Sequence, residues 1–301
     1  MTHSPSTTAA PSDLVARWHE LRFYVPTSRG AIACHDVGQG PAVLLIHGFP
    51  LNAYQWRDVV RLLAGERRCI APDLLGLGYT RPAAGADLTL PGQVGMLAEL
   101  LDRLGIDRVD IIANDSGTAA AQLLAVTHPE RVRSMLLTNG DVEPDCPPAP
   151  LVPVIEMAAQ GAFADTMVRA AVANKAHARS EQGIVGLTYT DPDAVTDEAI
   201  DVYFAPLVES PERVALTDAY AAGLLPNPMV GLEARLKACE VPTAILWGTG
   251  DIFFRADDVD YLVNVLPNVK HVERLEGAKL FFPEERPDLV VKVARRLWET
   301  A

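Results

Sequence analysis

The chain has 301 residues, 49% of them hydrophobic, which is enough to build a substantial core in one elaborated domain. Its formal net charge of −13 argues against binding to a phosphate backbone, because such binding needs clustered Lys and Arg. No apolar run reaches the length of a membrane span, so we expect a cytoplasmic protein that contacts neither nucleic acid nor membrane. The oligomeric state is left open.

The cysteines give no sign of a metal site, since they are widely spaced and form no CxxC pair; they are Cys34, Cys69, Cys146 and Cys239. No cluster of metal-ligating residues occurs elsewhere, so the sequence predicts an enzyme without a metal or a cofactor. The expected partner is a small-molecule substrate.

The predicted elements begin after a tail. Residues 1–12 are rich in Ser, Thr, Pro and Ala, and we expect them to be disordered. A helix is predicted around 53–64, and strands are predicted near 21–25, 31–37, 43–46 and 69–73.

Helices and strands continue to alternate in the next stretch. Apolar residues at helical spacing predict a helix over 90–104 that ends at Gly105. A strand at 108–113 leads into an alanine-rich helix, and 134–138 forms the next strand. This alternation predicts an α/β fold with a doubly wound, mostly parallel sheet covered on both faces.

The composition changes after residue 140. Residues 141–240 contain a Pro-rich start, several amphipathic helical pieces and no convincing strand, and sheet-forming sequence resumes at 243. We therefore predict a core domain made of 13–140 and 241–301, with 141–240 inserted into it.

Residues 108–122 carry the most informative pattern. A strand rich in β-branched residues is followed by a turn in which Ala113 and Gly117 stand two positions before and after Asp115. Small residues there let a strand and the following helix approach closely, while the central side chain stands exposed in a strained turn. Placing Ser116 at the centre would put larger side chains at both crowded positions. We therefore predict that Asp115 is the side chain on display.

Further motifs occur in order along the chain. A buried strand precedes His47-Gly48-Phe49-Pro50, and a later one leads into Asp73-Leu-Leu-Gly-Leu-Gly78. Near the end, Gly248-Thr-Gly-Asp251 follows a strand, and Pro283-Glu-Glu-Arg-Pro287 introduces the last helix. Together with the turn at Asp115, these motifs resemble the α/β-hydrolase superfamily, specifically its Asp-nucleophile branch of epoxide hydrolases and haloalkane or haloacid dehalogenases. The resemblance covers about residues 20–300, and it implies that 141–240 forms a helical cap over the active site.

The resemblance also implies roles for individual residues. Asp115 would attack saturated carbon and form an ester, while the backbone N–H groups of Phe49 and Ser116 would form the oxyanion hole. Asp251 matches the acid that orients the catalytic histidine, and Asp141 and Glu143 occupy the alternative acid position.

That histidine is absent from the sequence. Counting back from Pro283 places Leu280 at the histidine position, and counting forward from Gly277 places Ala278 or Lys279 there. Because general-base assistance is worth about 10²–10⁴ in rate, an enzyme that formed an ester at Asp115 without a base would stall after one turnover.

Other residues are poor substitutes for it. His271 lies within a predicted strand, and His47 is expected to brace the oxyanion turn rather than act in catalysis. Lys279 is expected to face solvent, and it could serve as a base only if desolvation lowered its pKa.

Comparison with the named relatives narrows the chemistry. Haloalkane dehalogenases hold the leaving halide with a Trp after the nucleophile and an Asn after His-Gly, and these positions are Ser116 and Phe49 here. Epoxide hydrolases protonate the opening oxygen with two cap tyrosines, for which any pair of Tyr189, Tyr203 and Tyr220 is a candidate. Further residues expected around an apolar substrate pocket are His47, Trp56, Asn114, Phe253, Lys279, Leu280 and Phe281.

Three functions follow from these patterns. The first is an atypical hydrolase of epoxide-hydrolase or dehalogenase type that acts on a small apolar organic substrate through Asp115. The second is a lyase, cyclase or isomerase that uses Asp115 for proton transfer. The third is a non-catalytic protein that binds a small molecule.

Overall fold

The computed structural model describes residues 11–300, and the predicted tail 1–12 lies mostly outside them. Nine strands form one sheet across the described residues. Their bounds are β1 Phe23–Thr27, β2 Gly30–Val37, β3 Ala42–Ile46, β4 Arg68–Pro72, β5 Arg81–Pro82, β6 Val109–Asp115, β7 Val132–Gly140, β8 Thr243–Gly248 and β9 Val269–Leu275.

The sheet runs in the order β1-β2-β4-β3-β6-β7-β8-β9, and β5 pairs with the outer strand β2. The pairs from β4 through β9 are parallel, whereas β2 pairs antiparallel with β1, β4 and β5. The predicted doubly wound, mostly parallel sheet is therefore confirmed. Its central strands β3 and β6 are buried along their whole length, as expected for a sheet that helices cover on both faces.

The helices are α1 Pro11–Leu21, α2 Arg57–Leu63, α3 Leu90–Arg103, α4 Ser116–Thr127, α5 Val152–Ala159, α6 Arg169–Ala173, α7 Lys175–Arg179, α8 Ile184–Thr188, α9 Asp197–Val208, α10 Pro211–Ala222, α11 Leu232–Leu236, α12 Asp258–Val265, α13 Phe282–Glu285 and α14 Pro287–Trp298. Helix α4 packs on α3 and on the central strands. Helix α14 packs on α2, β7 and β8. None of the helices within residues 11–300 has both the length and the apolar character to cross a membrane.

Three elements differ from the sequence-based predictions. Helix α1 was not predicted, and it begins inside the stretch assigned to the tail. Its Trp18 stacks on the buried His35 ring of β2, with 3.9 Å between ring centroids, so a tertiary contact holds a segment whose composition gave little signal. The short strand β5 and helix α12 were also missed.

The segment between β7 and β8 consists of helices α5 to α11 and short turns. Hydrogen bonds tie it to the core: Asn52 Nδ2 donates to the carbonyl of Val202 at 2.8 Å, and buried Arg213 donates to the carbonyl of Thr80 at 2.8 Å. The Phe281 amide donates to the carbonyl of Thr188 at 3.0 Å. These helices therefore close over the carboxyl ends of the strands, where parallel sheets place their ligand crevice.

The turn from β6 into α4 depends on a close approach of backbones. A Cβ atom added to Gly117 would lie 2.6 Å from the carbonyl oxygens of both Ile46 and His47 on the neighbouring strand. These atoms are backbone and cannot swing aside, so the sequence needs glycine here for contact rather than for a left-handed conformation.

We predict that Gly117→Ala destabilises the protein by about 1–3 kcal/mol, because the added methyl group overpacks the junction of α4 and β3. In a helix, alanine would otherwise be favoured over glycine. The measurement is the midpoint of urea unfolding. Gly65→Ala is the control, since a Cβ there meets nothing within 4 Å. Equal midpoints for the two variants would show that the junction is not tight.

Candidate active site

Asp115 ends β6 and precedes α4, with φ 57° and ψ −136°. It is the one residue other than glycine with positive φ among residues 11–300. The backbone of a residue that carries a β-carbon is strained in this conformation, and such strain is typical of a residue held in place for function. Ser116 is instead the first residue of α4, so the structure places Asp115 rather than Ser116 at the centre of the turn.

The Asp115 carboxylate accepts two backbone hydrogen bonds, and both end on Oδ1. The Phe49 amide donates at 2.8 Å and the Ser116 amide at 2.5 Å. These are the two N–H groups predicted to form an oxyanion hole, and here they donate to the carboxylate of Asp115 itself. Oδ2 is therefore the oxygen left for chemistry.

His47 holds the loop that carries Phe49. Its Nε2 accepts from the Leu74 amide at 3.0 Å, and its Nδ1 lies 2.9 Å from the carbonyl of Gly48. Both ring nitrogens are thus engaged by backbone, and burial lowers the pKa of this histidine. His47 braces the turn, and the prediction that it lines the substrate pocket is wrong.

A cavity of about 70 Å³ opens beside Asp115, with room for a small organic molecule or several waters. Its only strongly polar side chains are Asp115 and Asp141, accompanied by Ser116 and Thr188. The cap supplies Leu151, Val154, Phe163, Met167, Ile184, Leu187 and Leu224, and the core supplies Phe49, Pro50, Phe253, Phe254 and Leu280. Phe253 and Leu280 therefore lie where the sequence suggested, in an almost entirely apolar wall.

Asp115 and Asp141 form a carboxyl pair in this wall. Asp141 directly follows Gly140, whose Cα is the register partner of Asp115 across β6 and β7. Burial raises the pKa of Asp115 to about 6, and burial together with the charge of Asp115 raises the pKa of Asp141 to about 7. Both carboxyl groups are therefore harder to ionise than an ordinary aspartate, and Asp141 is the harder of the two.

The other predicted acids lie apart from the cavity lining. Asp251 Oδ2 accepts from Asn139 Nδ2 at 2.8 Å and its Oδ1 accepts from the Phe253 amide at 2.8 Å. Burial raises its pKa to about 6. Glu143 accepts from the Gly231 amide at 2.6 Å and from the Glu233 amide, so it caps the start of α11. Asp251 is thus held by Asn139 and by the backbone after β8, outside the cavity lining.

The three residues considered for the histidine position, Ala278, Lys279 and Leu280, differ in where their side chains lie. Leu280 lines the cavity with Asp115, whereas Ala278 packs against Gly248. Lys279 turns away and donates from Nζ to the carbonyl of Gly186 at 2.7 Å, so it does not line the pocket. An aliphatic side chain therefore faces the carboxyl pair.

Two of the three cap tyrosines are wrongly predicted as pocket residues. Tyr189 and Tyr203 are fully buried, and both donate to Glu284 Oε2, at 2.5 Å and 2.7 Å. Arg57 donates to Oε1 of the same carboxylate at 2.6 Å. This cluster joins the cap to the core. Tyr220 lies close to the site, because its hydroxyl is 2.9 Å from Ser116 Oγ and its ring stacks on Phe49.

Three more predicted pocket residues lie in the interior instead. Trp56 is fully buried in the core, and Phe281 packs its ring against Tyr189. Asn114 receives a hydrogen bond from Gln55 at 2.7 Å and donates to the carbonyl of Leu280 at 3.1 Å, so it ties β6 to the segment before α13. Sequence spacing placed these residues near the site but could not give their side-chain directions.

The comparison with known families agrees with this architecture. A family model described as alpha/beta hydrolase fold matches residues 41–286. The chain belongs to the α/β-hydrolase-fold family. The matched range includes the strands β4 to β9 and the turn at Asp115.

Relatives within the α/β-hydrolase family include several hydrolases. Haloalkane dehalogenase 2 of Mycobacterium tuberculosis is 26% identical over 291 residues, which cover 91% of this chain and 92% of the dehalogenase. Epoxide hydrolase 2 of Siraitia grosvenorii is 41% identical over 103 residues, which cover 34% of this chain and 33% of that protein. The solved structure of the epoxide hydrolase CorEH has a TM-score of 0.76 at 21% identity and covers 93% of this chain and 98% of that one, a likeness of fold.

We predict that Asp141→Asn stabilises the protein at pH 8 and leaves its stability nearly unchanged at pH 4. The folded protein raises the pKa of Asp141 to about 7, so its contribution to stability is full below the unfolded pKa near 4 and is lost as the pH rises to about 7. Asparagine cannot ionise and avoids this loss, which is on the order of several kcal/mol at most.

The measurement is the free energy of unfolding in urea from pH 4 to pH 8. Asp193→Asn, an exposed aspartate of the cap, is the control and should follow the wild-type curve. A variant less stable than wild type at pH 8 would contradict the assignment of Asp141 as a buried acid with a raised pKa.

Proposed function

We propose that this protein is a hydrolase of small apolar epoxides in which Asp115 is the nucleophile. The observation that carries the proposal is the geometry of one carboxylate, whose Oδ1 accepts both backbone hydrogen bonds while Oδ2 remains for attack. An alkyl group on Oδ2 would leave Oδ1 as the ester carbonyl oxygen. That oxygen would already be in the hole that stabilises it when water adds.

The reaction has two steps. Oδ2 of Asp115 attacks a ring carbon, the ring C–O bond breaks, and the ring oxygen takes up a proton, which gives a hydroxyalkyl ester on Asp115. Water then adds to the ester carbonyl carbon, and the ester bond breaks. The products are a diol and the free carboxylate.

The wall of the cavity favours an epoxide over a haloalkane as the substrate. A departing halide is an anion and needs donors, but the positions where dehalogenases carry them hold Phe49, with no polar side chain, and Ser116, which is engaged with Tyr220. An epoxide oxygen stays attached to carbon and needs only a proton. The apolar cap residues suit a substrate without charge.

Relatives support the reaction class. The Siraitia epoxide hydrolase and the mycobacterial dehalogenase both carry names of enzymes that cleave a bond from saturated carbon to a heteroatom. The dehalogenase is 26% identical to this chain, and the epoxide hydrolase matches 34% of it. The choice of an epoxide as substrate therefore rests on the lining of the cavity.

The first test is intact-mass spectrometry after rapid quenching with 1,2-epoxybutane. Wild-type protein should gain the mass of one probe molecule, and peptide mapping should locate it on Asp115. Asp115→Asn should show no adduct and no diol, while Asp193→Asn should behave like wild type. Turnover without an adduct, lost in Asp115→Asn, would favour proton-transfer chemistry. Probe-induced stabilisation that persists in Asp115→Asn without turnover would favour a binding protein.

A second test follows from the ionisation of the nucleophile. Only the carboxylate attacks, and burial raises the pKa of Asp115 to about 6. The rate of adduct formation in a single turnover should therefore fall about tenfold for each pH unit below about 6. Quenched-flow mass spectrometry between pH 4 and pH 6 measures it. A rate independent of pH over this range would show that Asp115 is not the attacking group.

A further inference from the structure

A second, smaller chamber adjoins the substrate cavity. Its volume is about 10 Å³, close to the smallest space that holds one water molecule. Its polar lining includes Asp141, Ser116 and Tyr220, together with Cys146 and with Gln93, whose amide is bonded to the backbone of Leu75 and Leu88. The remaining lining residues are apolar or glycine. A buried water needs two to four polar partners, and the side chains of Asp141, Ser116 and Tyr220 can provide them.

Asp141 connects the chamber with the substrate cavity. It belongs to the lining of both, together with Ser116 and Leu224, whereas Asp115 lines the larger cavity. Its carboxyl group therefore stands between a site for one water and the site of the nucleophile. Of the two residues that border both spaces and carry a polar side chain, Asp141 alone can exchange a proton near neutral pH.

We propose, on the basis of the proposed epoxide chemistry, that Asp141 replaces the missing histidine as a catalytic acid and base. The smaller chamber holds the water molecule that Asp141 activates. In the first step the protonated Asp141 gives its proton to the opening ring oxygen. In the second step the Asp141 carboxylate takes a proton from water as the water oxygen bonds to Cγ of Asp115.

The proton that Asp141 donates in the first step is restored to it within one turnover. The tetrahedral adduct breaks its bond to the alkyl oxygen, which leaves with the proton of the newly added hydroxyl group. Asp115 is again a carboxylate, Asp141 is again protonated, and epoxide plus water has become diol. One of the two carboxylate oxygens of Asp115 now comes from water.

The ionisation of the pair supports both roles. A carboxyl group with a pKa raised to about 7 is as strong a base as an ordinary imidazole, whose pKa is about 6.5. Because the pKa of Asp141 is raised further than that of Asp115, the favoured singly protonated state has Asp141 protonated and Asp115 ionised, which is the state that the first step needs. Leu280 in the histidine position has no proton to exchange.

The test uses two probes with the same carbon skeleton, 1,2-epoxybutane and 1-bromobutane. The bromide leaves as an anion and needs no proton, so its reaction with Asp115, although slow in a wall without halide donors, isolates the second step from the first. Asp141→Asn should alkylate at least tenfold more slowly with the epoxide and at an unchanged rate with the bromide. In both cases the ester on Asp115 should accumulate, whereas in wild type it should be hydrolysed.

A single turnover of wild type in H₂¹⁸O should place ¹⁸O in the carboxylate of Asp115, and Asp193→Asn should do the same. If wild type shows this label and Asp141→Asn hydrolyses the ester as fast as wild type, the role of Asp141 is wrong while the proposed function stands. If wild type gives neither adduct nor label with either probe, the proposed function itself is wrong. The stability measurement at pH 8 confirms that Asp141→Asn is folded.

Discussion

The close approach of the loop after β3 to the turn after β6 is the constraint on which the site depends. It requires glycine at position 117, because the carbonyls of Ile46 and His47 already fill the space. It also brings the Phe49 amide within 2.8 Å of the Asp115 carboxylate. The amide of Ser116, at the start of α4, donates to the same carboxylate oxygen. The strained φ of Asp115 is maintained by these contacts, since an isolated aspartate would relax out of that conformation.

The same burial that organises the site makes it costly for stability. Two carboxyl groups in an apolar wall cannot both ionise freely, because burial raises the pKa values of Asp115 and Asp141. A structural role would be served better by a neutral pair, which would give the same packing without desolvating charge. Two ionisable groups beside an otherwise apolar cavity thus point to chemistry rather than to stability.

Much of the fold could be predicted from the sequence, because it depends on short-range rules. Buried strands such as β3 and β6 show as continuous apolar runs, and the helix before Gly105 shows its periodicity and its left-handed end. Steric reasoning on two small residues located Asp115. Side-chain direction within the insertion obeys no such rule. Tyr189 and Tyr203 lie in the expected segment, but both turn to Glu284, far along the chain, and only tertiary packing sets that contact.

Leu280 gives the cavity wall an aliphatic side chain at a position where polar contacts fix the backbone. The main chain there is held by Asn114, which donates to the carbonyl of Leu280, so the identity of the side chain does not alter the path of the backbone. An aliphatic side chain makes the wall more apolar than a titratable one would, and a more apolar wall raises the pKa of a carboxyl group beside it. Burial in this wall thereby increases the basicity of Asp141, which directly follows Gly140, the register partner of Asp115.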